Sequence, residues 1–209
     1  MPREKRPFEE LKEFLPEGSY EFVLQDILQY KVQLTLTRER KTVLGTYTHP
    51  FAGKGHRITV NSNLNKYSFL VTLLHELAHL FTHEKFKGKV APHGKEWKHD
   101  FAEILKEYLQ KNIFPSDVAS ALVRSLKNPG ASTCADIPLQ LALKKYDPVV
   151  AGMLMVQDLA DGQLFQLTDG RTFKRGERQR TRFRCEEVNT RKLYLFSKMY
   201  EVCINVKGL

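Results

Sequence analysis

Residues 67–81 read Y-S-F-L-V-T-L-L-H-E-L-A-H-L-F, and the segment His75-Glu76-Leu77-Ala78-His79 within them decides how the chain is read. A helix turns about 100° per residue, so histidines four apart share one face, one turn above the other. Two imidazoles placed that way can bind one tetrahedral Zn²⁺ at roughly 2.0–2.1 Å each. Glu76 then points to the open side of the metal, where a general base takes a proton from activated water. Phe69, Leu70, Leu73, Leu74, Leu77 and Leu80 recur at helical spacing around the motif. A helix apolar over most of its surface is a buried one. Burying an ionisable H-E-x-x-H there is costly unless a metal or a partner compensates it. A chance match, or a pair of satisfied core histidines with Glu76 in an ion pair, is the competing reading, and the apolar setting favours the metal. Ser68 or the Asn63–Asn65 stretch is expected to cap the helix start.

A catalytic zinc needs a third protein ligand and one open position for water. The long-spacer pattern, with a glycine and a third histidine further along, fails because Thr82 and Lys85 occupy those positions. His83 continues the same helix but lies too far along its axis to share the ion. It reads as a solvated helix-end histidine, favourable to the C-terminal dipole. His93, His99, Glu96 and Asp100 remain. Lys85 to Pro92 reads as a loop with Gly88 and Pro92 as breakers. A second amphipathic helix follows, roughly Gly94 to Lys111, with Trp97, Phe101, Ile104, Leu105 and Tyr108 on one stripe. His93 stands at its start, where the loop can fold back and present the imidazole to the metal. That favours His93 over Glu96 and over His99, which falls on the flank of the stripe.

The order H-E-L-A-H, a spacer of about a dozen residues, then His93-Gly94-Lys95-Glu96-Trp97 resembles the SprT-like metalloproteases, the family that includes the Spartan proteases. Upstream, Thr37-Arg38-Glu39-Arg40-Lys41, Leu44-Gly45-Thr46-Tyr47 and Ile58-Thr59-Val60-Asn61 also look like that family's, so the resemblance covers roughly residues 20–112. It implies His75, His79 and His93 as zinc ligands, Glu76 as catalytic acid/base, and a peptide or protein substrate, with DNA-linked proteins as targets in the Spartan branch. The chain departs from the pattern in one respect. Many relatives end in a zinc ribbon with two C-x-x-C pairs, whereas Cys134, Cys185 and Cys203 are widely separated. No second metal is expected, and one Zn²⁺ is the cofactor read here.

The rest of the chain sets bounds. Its 209 residues suit one good-sized domain with a smaller appendage, and 42% apolar residues are enough for a core. Met1 to Arg6 is charged and leads to no apolar run, so no signal peptide is expected. No segment approaches membrane-span length, and three scattered cysteines argue against a disulfide framework. The expected location is cytoplasmic, with no membrane partner.

The expected fold class is α+β: a helical zincin-like metalloprotease domain with a small sheet over residues 1–148, then a small all-β, barrel-like domain over 149–209. Pro7 to Leu15 reads as a short helix, and Ser19 as the cap of a second running to about Tyr30. Val32–Thr37 and Arg57–Asn61 read as strands. Pro115-Ser116-Asp117 opens a helix to about Leu126, the Asn128–Ser132 stretch breaks it, and Ile137 to Lys145 forms another. Beyond residue 148, strands are expected at Met153–Asp158, Gly162–Leu167, Arg171–Lys174, Thr181–Val188, Lys192–Ser197 and Glu201–Val206. Asp161-Gly162, Asp169-Gly170 and Arg175-Gly176 read as turns between them.

Net charge is +9, and Arg171 to Arg184 holds seven basic residues against one acid. Arg180, Arg182 and Arg184 alternate with Thr181, Phe183 and Cys185, which on a strand puts three guanidiniums on one face. With Arg175 and Arg178 they suit phosphate oxygens, through bidentate hydrogen bonds and counterion release. DNA is therefore a candidate partner, against the plainer reading of a solvated basic face. Phe173 fits the core better than a stacking platform. Lys85, Lys87, Lys89, Lys95 and Lys98 suggest a second positive area near the metal loop. Tyr67, Arg57 and His99 are candidate oxyanion stabilisers. The function expected is hydrolysis of peptide bonds. The alternatives are a DNA-binding protein with a structural zinc centre, and a metal-dependent hydrolase of a small non-peptide substrate.

Overall fold

Ten consecutive residues of one helix, Phe69 to Ala78, are all buried, and the first part of the chain is assembled around them. The computed structural model describes residues 8–40, 42–126 and 136–204. It divides into two units, Met1–Asp147 and Pro148–Leu209, considered separately below.

In the first unit a 3₁₀ turn (Glu9–Glu13) precedes α1 (Tyr20–Gln29). Three strands follow, β1 (Gln33–Thr37), β2 (Gly45–Thr48) and β3 (Arg57–Asn61), in the order β1-β3-β2. β1 runs parallel to β3 and β2 antiparallel to it, which leaves β2 at an edge. Helices α2 (Lys66–Phe86), α3 (Lys95–Gln110), α4 (Ser116–Ser125) and α5 (Ile137–Lys144) complete the unit. α2 is buried on every side because β2 and β3 cover it from one direction and α3 and α5 from others. Its start is fixed by Asn65, whose side-chain oxygen accepts from the N–H groups of Tyr67 (3.1 Å) and Ser68 (2.9 Å), leaving Ser68 inside the first turn. Lys87 in the left-handed conformation (φ 49°) and Gly88 (φ 74°) end it.

Several sequence expectations shift here. The helix expected from Pro7 is only the 3₁₀ turn, since Pro16 and Gly18 follow closely. Ser19 does not cap α1; its hydroxyl donates instead to the Pro16 carbonyl at 2.7 Å. β2 carries no strand signal of its own in the sequence, because four residues that start with a glycine give little alternation. α2 runs five residues past Phe81. The Asn128–Ser132 breaker, Lys41 and Cys134 lie outside the described residues.

The second unit is one antiparallel sheet of six strands: β4 (Met153–Met155), β5 (Leu164–Gln166), β6 (Thr172–Gln179), β7 (Arg182–Glu187), β8 (Leu193–Ser197) and β9 (Glu201–Cys203). Its order is β4-β9-β5-β6-β7-β8, a curled half-barrel with β4 and β8 at its edges. Alternation buries Phe165, Phe173, Phe183, Cys185, Phe196 and Val202 on one face. Phe173 is therefore core, stacked on Phe165 at 5.6 Å. The first strand stops at Met155, and Val156–Asp158 turns as 3₁₀. Arg175-Gly176 is no turn. It lies inside β6 at an irregularity between Arg175 and Arg178, where a Cβ on Gly176 would stand 2.3 Å from the Arg184 carbonyl oxygen. Only glycine allows that close approach, so β6 continues through it to Gln179.

Candidate metal centre

His75 and His79 sit one turn apart on the α2 face turned toward the start of α3. His93 reaches them from the loop. The chain reverses at Ala91-Pro92-His93-Gly94, closed by a 3.0 Å bond from the Gly94 N–H to the Ala91 carbonyl. His93 takes φ 57° there, a conformation that costs a non-glycine residue roughly 1–2 kcal/mol. Gly94 is required because a Cβ would lie 2.9 Å from the Ala91 oxygen. The Nε2 atom of His93 stands 3.2 Å from that of His75 and 2.9 Å from that of His79. Two nitrogens bound tetrahedrally to one Zn²⁺ at roughly 2.0–2.1 Å would be about 3.3 Å apart, so the convergence fits a shared ion. Among the described residues, His75, His79 and His93 form the group of metal-ligating side chains close enough to hold one.

The surroundings keep these imidazoles neutral, as ligands must be. Burial, then the charges His79 and His93 would carry, push His75 down to about 3. Burial, then His93, takes His79 to about 4, and burial lowers His93. Trp97, fully buried one turn into α3, packs against all three rings with centroids at 4.6, 5.1 and 4.6 Å. In the sequence Trp97 shows as an apolar stripe residue and as the end of the H-G-K-E-W motif, neither of which reveals its contact with all three rings.

Glu76 is 6% exposed, and burial raises its carboxyl to about 7 despite the charge of Arg40 and a hydrogen bond from the Tyr47 backbone N–H. Arg40 is itself held by Asn61, whose Oδ1 accepts from Nε at 2.8 Å. Gly45 lets β2 lie against the carboxylate: a Cβ there would meet Thr72 Cγ2 at 2.8 Å and Glu76 Oε1 at 2.9 Å. The triad and Glu76 line a cavity of about 660 Å³, together with Leu44–Tyr47 and Val90–Pro92. The importance of Gly45 and Tyr47 had no signal of its own in the sequence, since a close approach across two elements leaves no periodic trace.

The other candidates fall elsewhere. Asp100 is buried but accepts from Thr82 (2.9 Å) and Lys85 (2.5 Å), tying α2 to α3 away from the triad. Glu96 pairs with Lys95 at 3.9 Å, and His99 is exposed. Tyr67 packs on Tyr146 at 4.7 Å; neither it nor Arg57 nor His99 lines the cavity. His83 lies in the last turn of α2, as expected of a helix-end histidine, but it is half-buried rather than solvated. It stacks on His49 at 5.2 Å beside Tyr47 and His56, and burial lowers its pKa. Of the lysines near the loop, Lys85, Lys87 and Lys95 are each paired with an acid.

In the second unit the arginine row is partly broken up. Arg182 and Arg184 are exposed on β7 while Phe183 and Cys185 point inward. Arg180 sits in the hairpin turn at φ 51° and not on the strand. Arg184 pairs with Glu177 at 2.7 Å, and Arg178 Nε donates to the Arg180 carbonyl at 2.9 Å. Arg175 is drawn out of the row: its guanidinium lies 4.1 Å from the Phe183 ring centre and pairs with Asp161. Among the described residues, no helix is long and apolar enough to cross a membrane.

The profile of the SprT-like family matches residues 11–117, just over half of the chain. A protein SprT of Proteus mirabilis is 35% identical over 89 residues, 42% of this chain and 50% of that protein. One of Erwinia tasmaniensis is 38% identical over 78 residues, 37% of this chain and 42% of its own. One of Yersinia pseudotuberculosis is 49% identical over 43 residues, 20% of this chain and 25% of its own. The matched stretches thus span half the length of these relatives or less. No solved structure matches. The family match spans the sheet, the H-E-L-A-H helix and the turn that carries His93, and the chain belongs to the SprT-like family.

Proposed function

We propose that this protein is a zinc-dependent metallopeptidase that hydrolyses peptide bonds in protein substrates. The observation that carries the reading is the convergence of three imidazole nitrogens with a buried carboxylate in the lining of one cavity. His75, His79 and His93 would hold the ion, and three nitrogen donors with an open fourth position suit catalytic zinc. A structural zinc centre calls for a fourth protein ligand, and among the described residues the cluster has three. When bound, zinc supplies a Lewis acid that polarises a carbonyl and acidifies water.

The chain's own groups do the rest. Glu76 takes the proton from the attacking water and delivers it to the leaving amine. A carboxyl raised to about 7 is well matched to both steps. The Tyr47 N–H and Gly45 hold that carboxylate in place, and Trp97 walls the triad against water. Arg178, Arg180, Arg182 and Arg184 extend the reading to nucleic acid, as a basic edge for phosphates beside a shallow hollow lined by Gln179 to Arg182 and Leu195. Arg175 is left out of it, being paired and covered. The free thiols of Cys185 and Cys203 suit a reducing compartment such as the cytoplasm.

The test is metal content of protein purified without added metal, followed by proteolysis with and without DNA. Wild type should carry about one zinc, His93→Ala should lose it, and Glu76→Ala should keep it while losing hydrolysis. Full zinc retention in His93→Ala would rule out the triad as the ligand set.

A further inference from the structure

Tyr47 meets the metal centre in three ways. It lines the cavity, its backbone N–H donates to the Glu76 carboxylate, and its ring lies parallel to that of His79 (centroids 6.4 Å apart, planes at 3°). Its hydroxyl points elsewhere, to His56 Nδ1 at 2.9 Å. His56, in the approach to β3, is 9% exposed, and its Nε2 lies 3.4 Å from Glu84 Oε1 near the end of α2. One chain of polar contacts thus joins β2, β3 and α2 behind the cavity wall.

The chemistry of the partners sets the direction of each bond. The carboxylate of Glu84 also accepts from Lys87 at 2.9 Å, a bond that holds its pKa below the ordinary value, so it is ionised and only accepts. Nε2 of His56 must therefore carry hydrogen. A neutral imidazole has one N–H, which makes Nδ1 an acceptor and the Tyr47 hydroxyl its donor. The hydroxyl hydrogen is directed away from the cavity. Tyr47 therefore acts through its ring and its backbone, not by donating to a reacting atom.

We propose that the Tyr47–His56–Glu84 chain is a positioning device for the metal centre, in which His56 anchors Tyr47 and Tyr47 holds the His79 ring and the Glu76 carboxylate. This rests on reading the histidine triad as a metal site. Outer-shell partners of metal ligands typically contribute about 10–100-fold in metal affinity. Tyr47, His56 and Glu84 all lie outside the triad, so the lower end applies.

The experiment measures zinc affinity by chelator competition, and the visible spectrum of cobalt-loaded protein, for Tyr47→Phe, His56→Leu, His56→Asn and the Tyr47→Phe/His56→Leu double variant. Tyr47→Phe and His56→Leu should each weaken zinc by about tenfold and shift the cobalt bands. The double variant should be no worse than either single one. His56→Asn, which keeps an acceptor near the position of Nδ1, should recover most of the loss. Unchanged affinity in both single variants, or losses that add, would overturn the proposal. Tyr47→Phe removes one oxygen and leaves the packing intact, so a folding defect does not obscure the result. Heteronuclear NMR of the imidazole nitrogens gives a metal-independent check: His56 should carry hydrogen on Nε2, and hydrogen on Nδ1 instead would break the chain. A wild-type protein that takes up no zinc sinks the functional reading itself, and the His56 tautomer then still decides whether the chain holds Tyr47.

Discussion

Gly45→Ala is the substitution in which the cavity wall bears most directly on Glu76. The added Cβ would stand 2.8 Å from Thr72 Cγ2, 2.9 Å from Glu76 Oε1 and 3.0 Å from Glu76 Cγ. Ordinary contacts are about 3.5–4.0 Å between carbons, so β2 and the Glu76 side chain must separate by on the order of 0.5–1 Å. Both Thr72 and Glu76 are buried on α2, so neither can swing into solvent. Overpacking of this kind costs about 1–3 kcal/mol of stability. A misplacement of about 1 Å at a catalytic group costs on the order of 100-fold in rate. The close contacts fall on Thr72 and Glu76 and on none of the three histidines, so zinc content should stay near the wild-type level. The assay is kcat/KM for peptide hydrolysis alongside zinc content and a urea unfolding curve. Adding Thr72→Ser removes the methyl that makes the shortest contact and should recover part of the activity. Gly45→Ala with activity within about threefold of wild type, at full zinc occupancy, would refute the idea that β2 sets the position of Glu76.

Three further outcomes follow from particular contacts. Asn65→Ala removes the cap of α2 together with side-chain N–H bonds to the Leu143 carbonyl (3.0 Å) and Asp147 (2.5 Å), and should cost more than the ~1 kcal/mol of a simple N-cap in denaturant unfolding; a loss under about 0.5 kcal/mol would contradict this. Asp26 is raised to about 6, by burial and then by Glu107 against the opposing charge of Lys111. Its folded carboxyl is harder to ionise than its unfolded one, so the penalty is absent below the unfolded pKa and complete only above pH 6. Asp26→Asn should therefore stabilise by about 1–2 kcal/mol at pH 8, after allowance for partial solvent screening, and by roughly half that at pH 5. An equal gain at both pH values would refute the assignment. Arg182→Ala/Arg184→Ala should weaken DNA binding in a fluorescence titration and lower the salt slope by about 2, one per lost phosphate contact; an unchanged slope would remove this face from the interface.

The pattern His75-x-x-x-His79 needed no structure, because four residues on a helix always share a face. The helices α2 and α3, the paired strands Gln33–Thr37 and Arg57–Asn61, and the all-β character of the second unit were equally legible, since each repeats with the period of its own geometry. His93 was legible through its place before an amphipathic helix. Its left-handed backbone and the Gly94 close approach, which aim it, were not. Local pattern also misled: Arg175-Gly176 looks like a turn, yet the sheet runs through it as an irregularity. Charge alternation put Arg180, Arg182 and Arg184 on one face, yet Arg180 sits in the hairpin turn, and contacts with Asp161 and Phe183 withdraw Arg175 from the basic group. By itself, then, the sequence determined the histidine spacing, the buried helix that carries it and the family. Only the tertiary structure decided that β2 presses Gly45 and Tyr47 against Glu76, that Trp97 backs all three histidines, and that His56 and His83 gather around the Tyr47 ring. Those relations join residues far apart in the chain, and no periodicity along one element encodes what a second element brings against it.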